Sequence, residues 1–171
     1  MIESHRERGR SHTSHCFKLN STKDNSTYSE SRQYTPNDCF NYVPKNKLSA
    51  AFKNVARALK KGGVFLFDVS SERKFREKIA NTVCADDREH ITYLAFNKTD
   101  EEKTTMDVTL FVKRPDGAFE RYDETHVQYI HKEKEICEQL KQSGFSVISV
   151  EGHLGEEKEK SDRICFLAKK E

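Results

Sequence analysis

The sequence contains no tryptophan and only three prolines and seven glycines among its 171 residues. So little proline and glycine excludes collagen-like, proline-rich and glycine-linker architectures. No apolar run approaches the roughly 20 residues that a bilayer-spanning helix needs, so we predict no membrane segment. Residues 1–10 are charged rather than apolar, and they do not predict a secretory signal peptide.

Paired cysteines are also lacking. The five cysteines are an odd number, and none of them forms a C-x-x-C motif. This pattern favours reduced thiols and a cytoplasmic location. His12, His15 and Cys16 lie close together, but no second pair follows at zinc-site spacing, so we predict no metal site.

Net charge is close to balanced, with 30 basic and 28 acidic residues. The excess lies in residues 1–35, which hold six Lys or Arg against four Asp or Glu. An RNA-binding arm is one interpretation, but the arginines are few and no aromatic stacking pattern accompanies them, so we do not expect nucleic acid. Residues 1–36 are polar and without periodicity, and we predict that they are disordered.

From residue 37 the pattern becomes that of an α/β protein. Helically spaced apolar positions predict a helix over 47–60, ended by Gly62 and Gly63. The continuous apolar run 64–69 predicts a strand buried on both faces, as in a parallel sheet. Ser70 or Ser71 can cap a short helix after it. A second helix is predicted over 132–143, and two further strands over 145–150 and 163–168.

The middle third predicts an antiparallel insert at about 88–130. Three extended segments, 91–97, 105–113 and 118–130, make up this insert. The turn Arg114-Pro115-Asp116-Gly117 joins the last two into a hairpin, because proline presets φ and glycine tolerates positive φ.

The order of these pieces resembles a known family. The run Asp38-Cys39-Phe40-Asn41-Tyr42-Val43, the helix end Leu59-Lys60-Lys61-Gly62-Gly63 and the strand Phe65-Leu66-Phe67-Asp68-Val69 are similar to the C-terminal half of a class I S-adenosylmethionine-dependent methyltransferase. The similar members are the small bacterial type with an inserted antiparallel sheet, and Lys61 replaces their usual proline. For residues 37–171 the resemblance implies a partial Rossmann-like sheet, with family strands 5-7-6, plus a three-stranded insert.

The resemblance implies S-adenosylmethionine as cofactor and a small-molecule methyl acceptor. The family's glycine-rich cofactor turn and its ribose-binding acidic residue have no counterpart, since the only glycine before Gly62 is Gly9. We therefore expect a truncated or frame-shifted chain that binds the cofactor weakly. The alternative is a non-catalytic remnant or a protein-binding module.

Candidate site residues follow from the same resemblance. The predicted cofactor-binding residues are Asp38, Asn41 and Asp68, the predicted substrate-binding residues are Tyr42, Tyr122 and Gln128, and His126 is the predicted general base. Each has a plainer interpretation: loop chemistry for residues 38–42, a helix cap for Asp68 and a solvated strand face for residues 122–128. Arg163 is expected to form a salt bridge.

The resemblance also predicts a free sheet edge. If residues 64–69 are the family's strand five, the side that should meet strand four is left with unpaired backbone groups. Such an apolar edge recruits another chain, so we predict self-association through it unless residues 34–43 fold back as a substitute strand.

Overall fold

The computed structural model describes residues 30–35 and 38–171, which form two four-stranded sheets and two α-helices. In chain order the elements are β1 (Glu30–Thr35), α1 (Lys45–Ala58), β2 (Leu59–Ser70), a π-helix (Lys74–Ile79), β3 (Val83–Arg88), β4 (Ile91–Thr99), β5 (Lys103–Lys113), β6 (Phe119–Tyr129), α2 (Glu133–Gln142), β7 (Phe145–Gly152) and β8 (Arg163–Lys170). Within these described ranges, no helix is both long and apolar enough to cross a membrane.

The first sheet has the order β1-β2-β8-β7. β1 runs parallel to β2, and β8 lies antiparallel between β2 and β7. The predicted α/β, Rossmann-like class is confirmed, and β2, β8 and β7 are neighbours in the order predicted for strands five, seven and six.

β1 corrects the predicted boundary of the ordered part. Residues 1–36 were expected to be disordered, yet Glu30–Thr35 is a strand whose Tyr34 pairs with Leu66 of β2. This strand is held by backbone pairing rather than by an apolar face, so periodicity could not reveal it. Residues 1–29 and 36–37 lie outside the described residues.

β1 also occupies the edge that was predicted to be free. Its parallel pairing runs along β2 from Val64 to Phe67. The prediction of self-association through this edge of β2 carried an exception for a substitute strand, and that exception applies. The strand that covers the edge is residues 30–35, which overlaps the suggested range 34–43 only at its start.

Helix α1 ends earlier than the glycine pair suggests. It ends at Ala58, because the backbone of Leu59 is already extended and pairs with Glu30 of β1. The next parallel pair is Arg32 with Val64, so residues 60–63 form an irregular segment within β2. Gly62 has φ +77° there, a conformation that glycine adopts without strain.

An aromatic core lies between α1, α2 and one face of the first sheet. Its fully buried rings are Phe40, Phe52, Phe65, Phe67, Phe145 and Phe166. The rings of Phe67 and Phe166 stack with centroids 5.0 Å apart. Burying each such side chain stabilises the fold by about 1.5–3 kcal/mol, so this core dominates the stability of the first sheet.

The insert has four strands rather than the three predicted, and it begins at Val83 rather than near residue 88. The unpredicted strand is β3, whose sequence VCADDR is exposed throughout and carries no apolar alternation. The predicted hairpin is confirmed: β5 and β6 pair from Lys103 with Tyr129 to Lys113 with Phe119, and Gly117 has φ +84° in the turn.

Candidate active site

The carboxyl ends of the two parallel strands define the candidate site. β1 ends at Thr35 and β2 at Ser70, and the short 3-10 helix Cys39–Tyr42 follows β1. Phe40 anchors this helix in the aromatic core, with its ring centroid 4.8 Å from that of Phe67. Open α/β sheets bind ligands beyond the carboxyl ends of their parallel strands, so the loop that contains Asp38, Asn41 and Tyr42 lies where a ligand would bind.

Asn41 joins three parts of the chain. Its side chain is fully buried, its Oδ1 accepts a hydrogen bond from Ser70 N at 2.8 Å, and its Nδ2 donates to Tyr129 O at 2.9 Å. The amide therefore fastens the loop after β1 to the ends of β2 and β6. We call these two hydrogen bonds the Asn41 clamp. Because they satisfy both polar atoms of the side chain, Asn41 can be buried.

A polar chain runs beside this clamp. The hydroxyl of Ser70 donates to Asp38 Oδ2 at 2.9 Å, and Lys74 Nζ donates to Ser70 Oγ at 3.0 Å. Asp38 itself adopts φ +49°, a left-handed conformation that aspartate tolerates better than most residues. Of the two predicted capping serines it is Ser71 that caps the short helix, since its Oγ accepts from Lys74 N at 3.1 Å.

Asp68 lies in β2 and is ion-paired. Its Oδ2 is 2.6 Å from the Arg163 guanidinium, and its side chain is nearly buried. The expected salt bridge of Arg163 is therefore present, and its partner is a predicted site residue. Buried carboxylates are normally paired in this way, because an isolated charge is costly to bury.

The insert brings His126 to the loop. The rings of His126 and Tyr42 are nearly perpendicular, with centroids 6.1 Å apart, and His126 Nε2 lies 3.0 Å from Glu124 Oε2. The imidazole is only 18% exposed, which is less than a solvated outer face would leave. Gln128 is buried two residues further along the same strand face.

Tyr122 is not part of this cluster. It is an exposed residue four positions before His126, and at about 3.3 Å per residue it lies roughly 13 Å away along β6. The structure thus brings Asp38, Asn41, Tyr42 and His126 together but leaves Tyr122 near the far end of the insert.

His131 was missed by the sequence analysis. It is buried directly after β6, and its Nε2 lies 3.0 Å from Phe40 O. Burial lowers the pKa of His131, and the hydrogen bond to the Phe40 carbonyl partly opposes that shift. Its partner is 91 positions away in the chain, so no local pattern could have revealed this second tie between the loop and the insert.

In the part of the chain that the structure describes, no group of three or more His, Cys, Asp or Glu side chains is placed to hold a metal ion. The architecture is that of a Rossmann-like α/β protein with its polar site at the carboxyl ends of parallel strands, beside an antiparallel insert.

Comparisons with known proteins agree with this class. No family model matches the sequence. A Bacillus subtilis (strain 168) protein named as a candidate methyltransferase, YqeM, is 36% identical over 138 residues, which cover 78% of this chain and 56% of the relative. A solved S-adenosylmethionine-dependent methyltransferase from Clostridium acetobutylicum ATCC 824 has a TM-score of 0.77 at 26% identity, covering 85% of this chain and 60% of that one.

A second solved structure shares the fold alone. CalS10 of Micromonospora echinaspora, an amino pentose methyltransferase solved with bound S-adenosylmethionine, has a TM-score of 0.66 at 17% identity, over 86% of this chain and 61% of that chain. The chain belongs to the class I S-adenosylmethionine-dependent methyltransferases. It spans about half the length of the curated relatives that it matches.

Proposed function

We propose that the chain takes part in methyl transfer from S-adenosylmethionine to a small molecule at the carboxyl ends of β1 and β2. The observation that carries this proposal is the meeting of Tyr42, on the loop after β1, with His126 of the insert, 6.1 Å between ring centroids. A small-molecule acceptor is supported by the likeness of fold to CalS10, which is described as acting on an amino pentose.

The described residues fit one side of a cofactor site. S-adenosylmethionine supplies a methyl group that is activated by a sulfonium sulfur. We propose that Asp38 contacts the cofactor, since its carboxylate lies at the strand ends and is oriented by the Ser70 hydroxyl. Asn41 and Asp68 then shape the site around it, because Asn41 is hydrogen bonded through both side-chain polar atoms and Asp68 is paired with Arg163.

His126 is the proposed general base. A bound S-adenosylmethionine would supply the methyl group and keep the electrons of its carbon–sulfur bond, and His126 would take the proton that the methylated acceptor loses. Tyr42 and Gln128 flank the imidazole and would contact the acceptor. Tyr122 would be reached only by an acceptor that extends along β6.

Cofactor affinity is expected to be weak. Among the described residues, no glycine lies at the carboxyl end of β1 or β2, where backbone would have to approach the ligand closely. Asp38 and its loop thus form only one side of the proposed cofactor site. We expect dissociation constants for the isolated chain far above the micromolar range.

Amide chemical shifts during a titration of the full chain with millimolar S-adenosylmethionine test this proposal. We expect saturable shifts in residues 38–42 and at Ser70, and none in the turn at residues 114–117. Asp38→Asn should abolish the shifts, whereas the matched change Asp116→Asn in that turn should leave them unchanged. Shifts confined to other regions would contradict the site, and micromolar binding by calorimetry would contradict the predicted weakness.

A further inference from the structure

Helix α1 and the turn after it lie in a stretch of the chain that has no acidic residue. Residues 39–67 contain six Lys or Arg and no Asp or Glu, although the whole chain is nearly neutral. Lys45, at the start of the helix, is paired with Glu135 of α2. The cations further along the helix and in the turn are exposed, and they extend to the end of the stretch nearest Gly62.

An open groove lies where α1 ends. It has a volume of about 380 Å³, and the residues that line it are Lys53, Ala56, Arg57, Ser143 and Lys170. Three of these five side chains are cationic and none is acidic. Two more lysines follow α1 directly at positions 60 and 61, and both are exposed. We call Lys53, Arg57, Lys60, Lys61 and Lys170 the basic surface.

The charge of the basic surface is not neutralised by its surroundings. None of its five cations forms an ion pair with a side chain that the structure describes. Lys170 Nζ donates to the carbonyl of Leu59 at 2.6 Å, and Arg57 donates to the neutral side-chain amide of Asn54. Both partners are uncharged, so the groove keeps its positive charge.

The carboxyl end of α1 explains only part of this charge. Cations are favoured beside the last carbonyls of a helix, and Arg57 and Lys170 both lie there. Lys53 lies further back in the helix, four residues before Arg57, where two like charges repel each other. A bound anion would relieve that repulsion, so the groove suits a negatively charged ligand.

The residues around the groove distinguish between anionic partners. A surface that binds membranes needs large apolar side chains beside its cations, and the exposed residues of α1 include none. A peptide is normally held by apolar pockets or by strand pairing, and the groove offers only Ala56. A nucleic-acid backbone carries one negative charge per phosphate, and cations alone can hold it.

We propose that the basic surface binds the phosphodiester backbone of a single-stranded nucleic acid. A groove of this volume holds a short segment of one strand, which then continues past Lys60 and Lys61. Because no aromatic or amide side chain lines the groove, the contacts go to phosphates and do not read the base sequence. The expectation of no nucleic-acid partner rested on residues 1–35 and on net charge, and the basic surface lies outside that segment.

This binding does not depend on the proposed methyl transfer. The groove lies at the Lys170 end of β8, whereas Arg163, at the other end of the strand, is paired with Asp68 at the candidate site. At about 3.3 Å per residue, the length of β8 separates the two by roughly 23 Å. Loss of cofactor binding and loss of nucleic-acid binding are therefore separate results.

Fluorescence anisotropy of the full chain with a labelled oligouridylate of roughly 12 nucleotides tests the proposal. Lys53→Gln combined with Arg57→Gln should weaken binding at least about tenfold at about 50 mM salt. The same change should make the slope of log K against log salt concentration shallower by about 1.4, since each phosphate contact on a single strand contributes about 0.7. The control Lys98→Gln with Lys113→Gln removes the same charge from exposed positions of the insert and should change neither quantity.

Equal losses in the two double variants would overturn the proposal, because general charge attraction would then explain the binding. Unchanged binding in the variant of the groove would also overturn it. Poly-L-glutamate that displaces the oligonucleotide at an equal concentration of charge would show that the partner is an acidic protein instead. Tighter binding of a DNA duplex than of the single strand would contradict the assignment to one strand. Urea midpoints of both variants should equal that of the unaltered chain, since all four positions are exposed.

Discussion

The two sheets of this molecule are stabilised in different ways. The first sheet rests on α1 and α2 through a cluster of buried aromatic rings. The insert sheet is larger in strand length, yet its only buried apolar strand residues are Ala95 and Val108. Side-chain packing therefore holds the first sheet, and backbone pairing holds the second.

Cross-strand polar pairs reinforce the insert. The Thr109 hydroxyl donates to Asp123 at 2.7 Å, and the Thr125 hydroxyl donates to Asp107 at 2.8 Å. Such exposed pairs contribute little free energy each, so the insert depends on its junction with the first sheet for a fixed orientation. That junction consists in part of the buried side chains of Asn41 and His131, which is also where the candidate site lies.

The sharpest test of this contrast compares two phenylalanines. Phe67→Ala should lower the free energy of unfolding by about 3–5 kcal/mol, because a fully buried ring is lost and a cavity remains. Phe96→Ala, at a half-exposed position on the insert, should cost less than about 1 kcal/mol. Urea unfolding followed by circular dichroism measures both. Equal losses would show that the insert has a core of comparable strength.

The next largest effect is expected at the junction. Asn41→Ala leaves Ser70 N and Tyr129 O without their side-chain partner, and each unsatisfied buried group costs about 1–3 kcal/mol. Amide hydrogen exchange should accelerate at Ser70 and throughout β6. The exposed control Asn54→Ala in α1 should not destabilise the chain, since alanine is the better helix former. Unchanged exchange at Ser70 would show that the clamp is not needed.

The elements predicted from the sequence are those whose side chains face a core. The helix stripe of α1, the apolar run of β2 and the Pro115-Asp116-Gly117 turn all produced visible patterns. The two missed strands, β1 and β3, are both edge strands. Edge position alone does not explain the two misses, because β6 and β7 are also edge strands and were predicted. β1 and β3 in addition carry no apolar alternation, and the backbone hydrogen bonds that hold them leave no mark on residue type.

The candidate site was predictable only where its residues lie in one local motif. The family resemblance located Asp38, Asn41 and Tyr42, but no pattern indicated that Asn41 would bind Tyr129 O, 88 positions away. His131 does not belong to any motif that the sequence analysis identified. Contacts between distant segments depend on how the two sheets are placed, and local spacing does not encode that placement.

Ion pairs offer a smaller contrast between the sheets. Arg163→Met leaves the nearly buried Asp68 carboxylate without its partner, and we expect a loss of about 1–3 kcal/mol. Arg121→Met removes the partner of Asp123 on the insert, where both side chains are exposed, and should cause no measurable change. Urea midpoints at low and high salt separate the two cases. A larger effect at Arg121 would contradict the view that surface pairs on the insert contribute little.

The smallest expected effect is a pH dependence that arises at the junction. Burial lowers the pKa of His131 in the folded chain. The backbone of Phe40 and Val43 opposes this shift, nearby Lys45 adds to it, and Glu135 opposes it. Below the ordinary histidine pKa of about 6.5 the unfolded chain binds a proton that the folded chain does not, so acid favours unfolding.

Between pH 7.5 and 5.5, the free energy of unfolding should therefore fall as the pH falls through about 6.5, by less than about 1.4 kcal/mol per pH unit for this one group. Asp162, whose pKa is lowered by the hydrogen bond from Lys78, titrates below this window and does not obscure it. In His131→Gln the dependence should flatten, because glutamine can still donate to Phe40 O but does not titrate. Urea unfolding at a series of pH values measures the slope, and an equal slope in the variant would show that proton uptake at the junction does not affect stability.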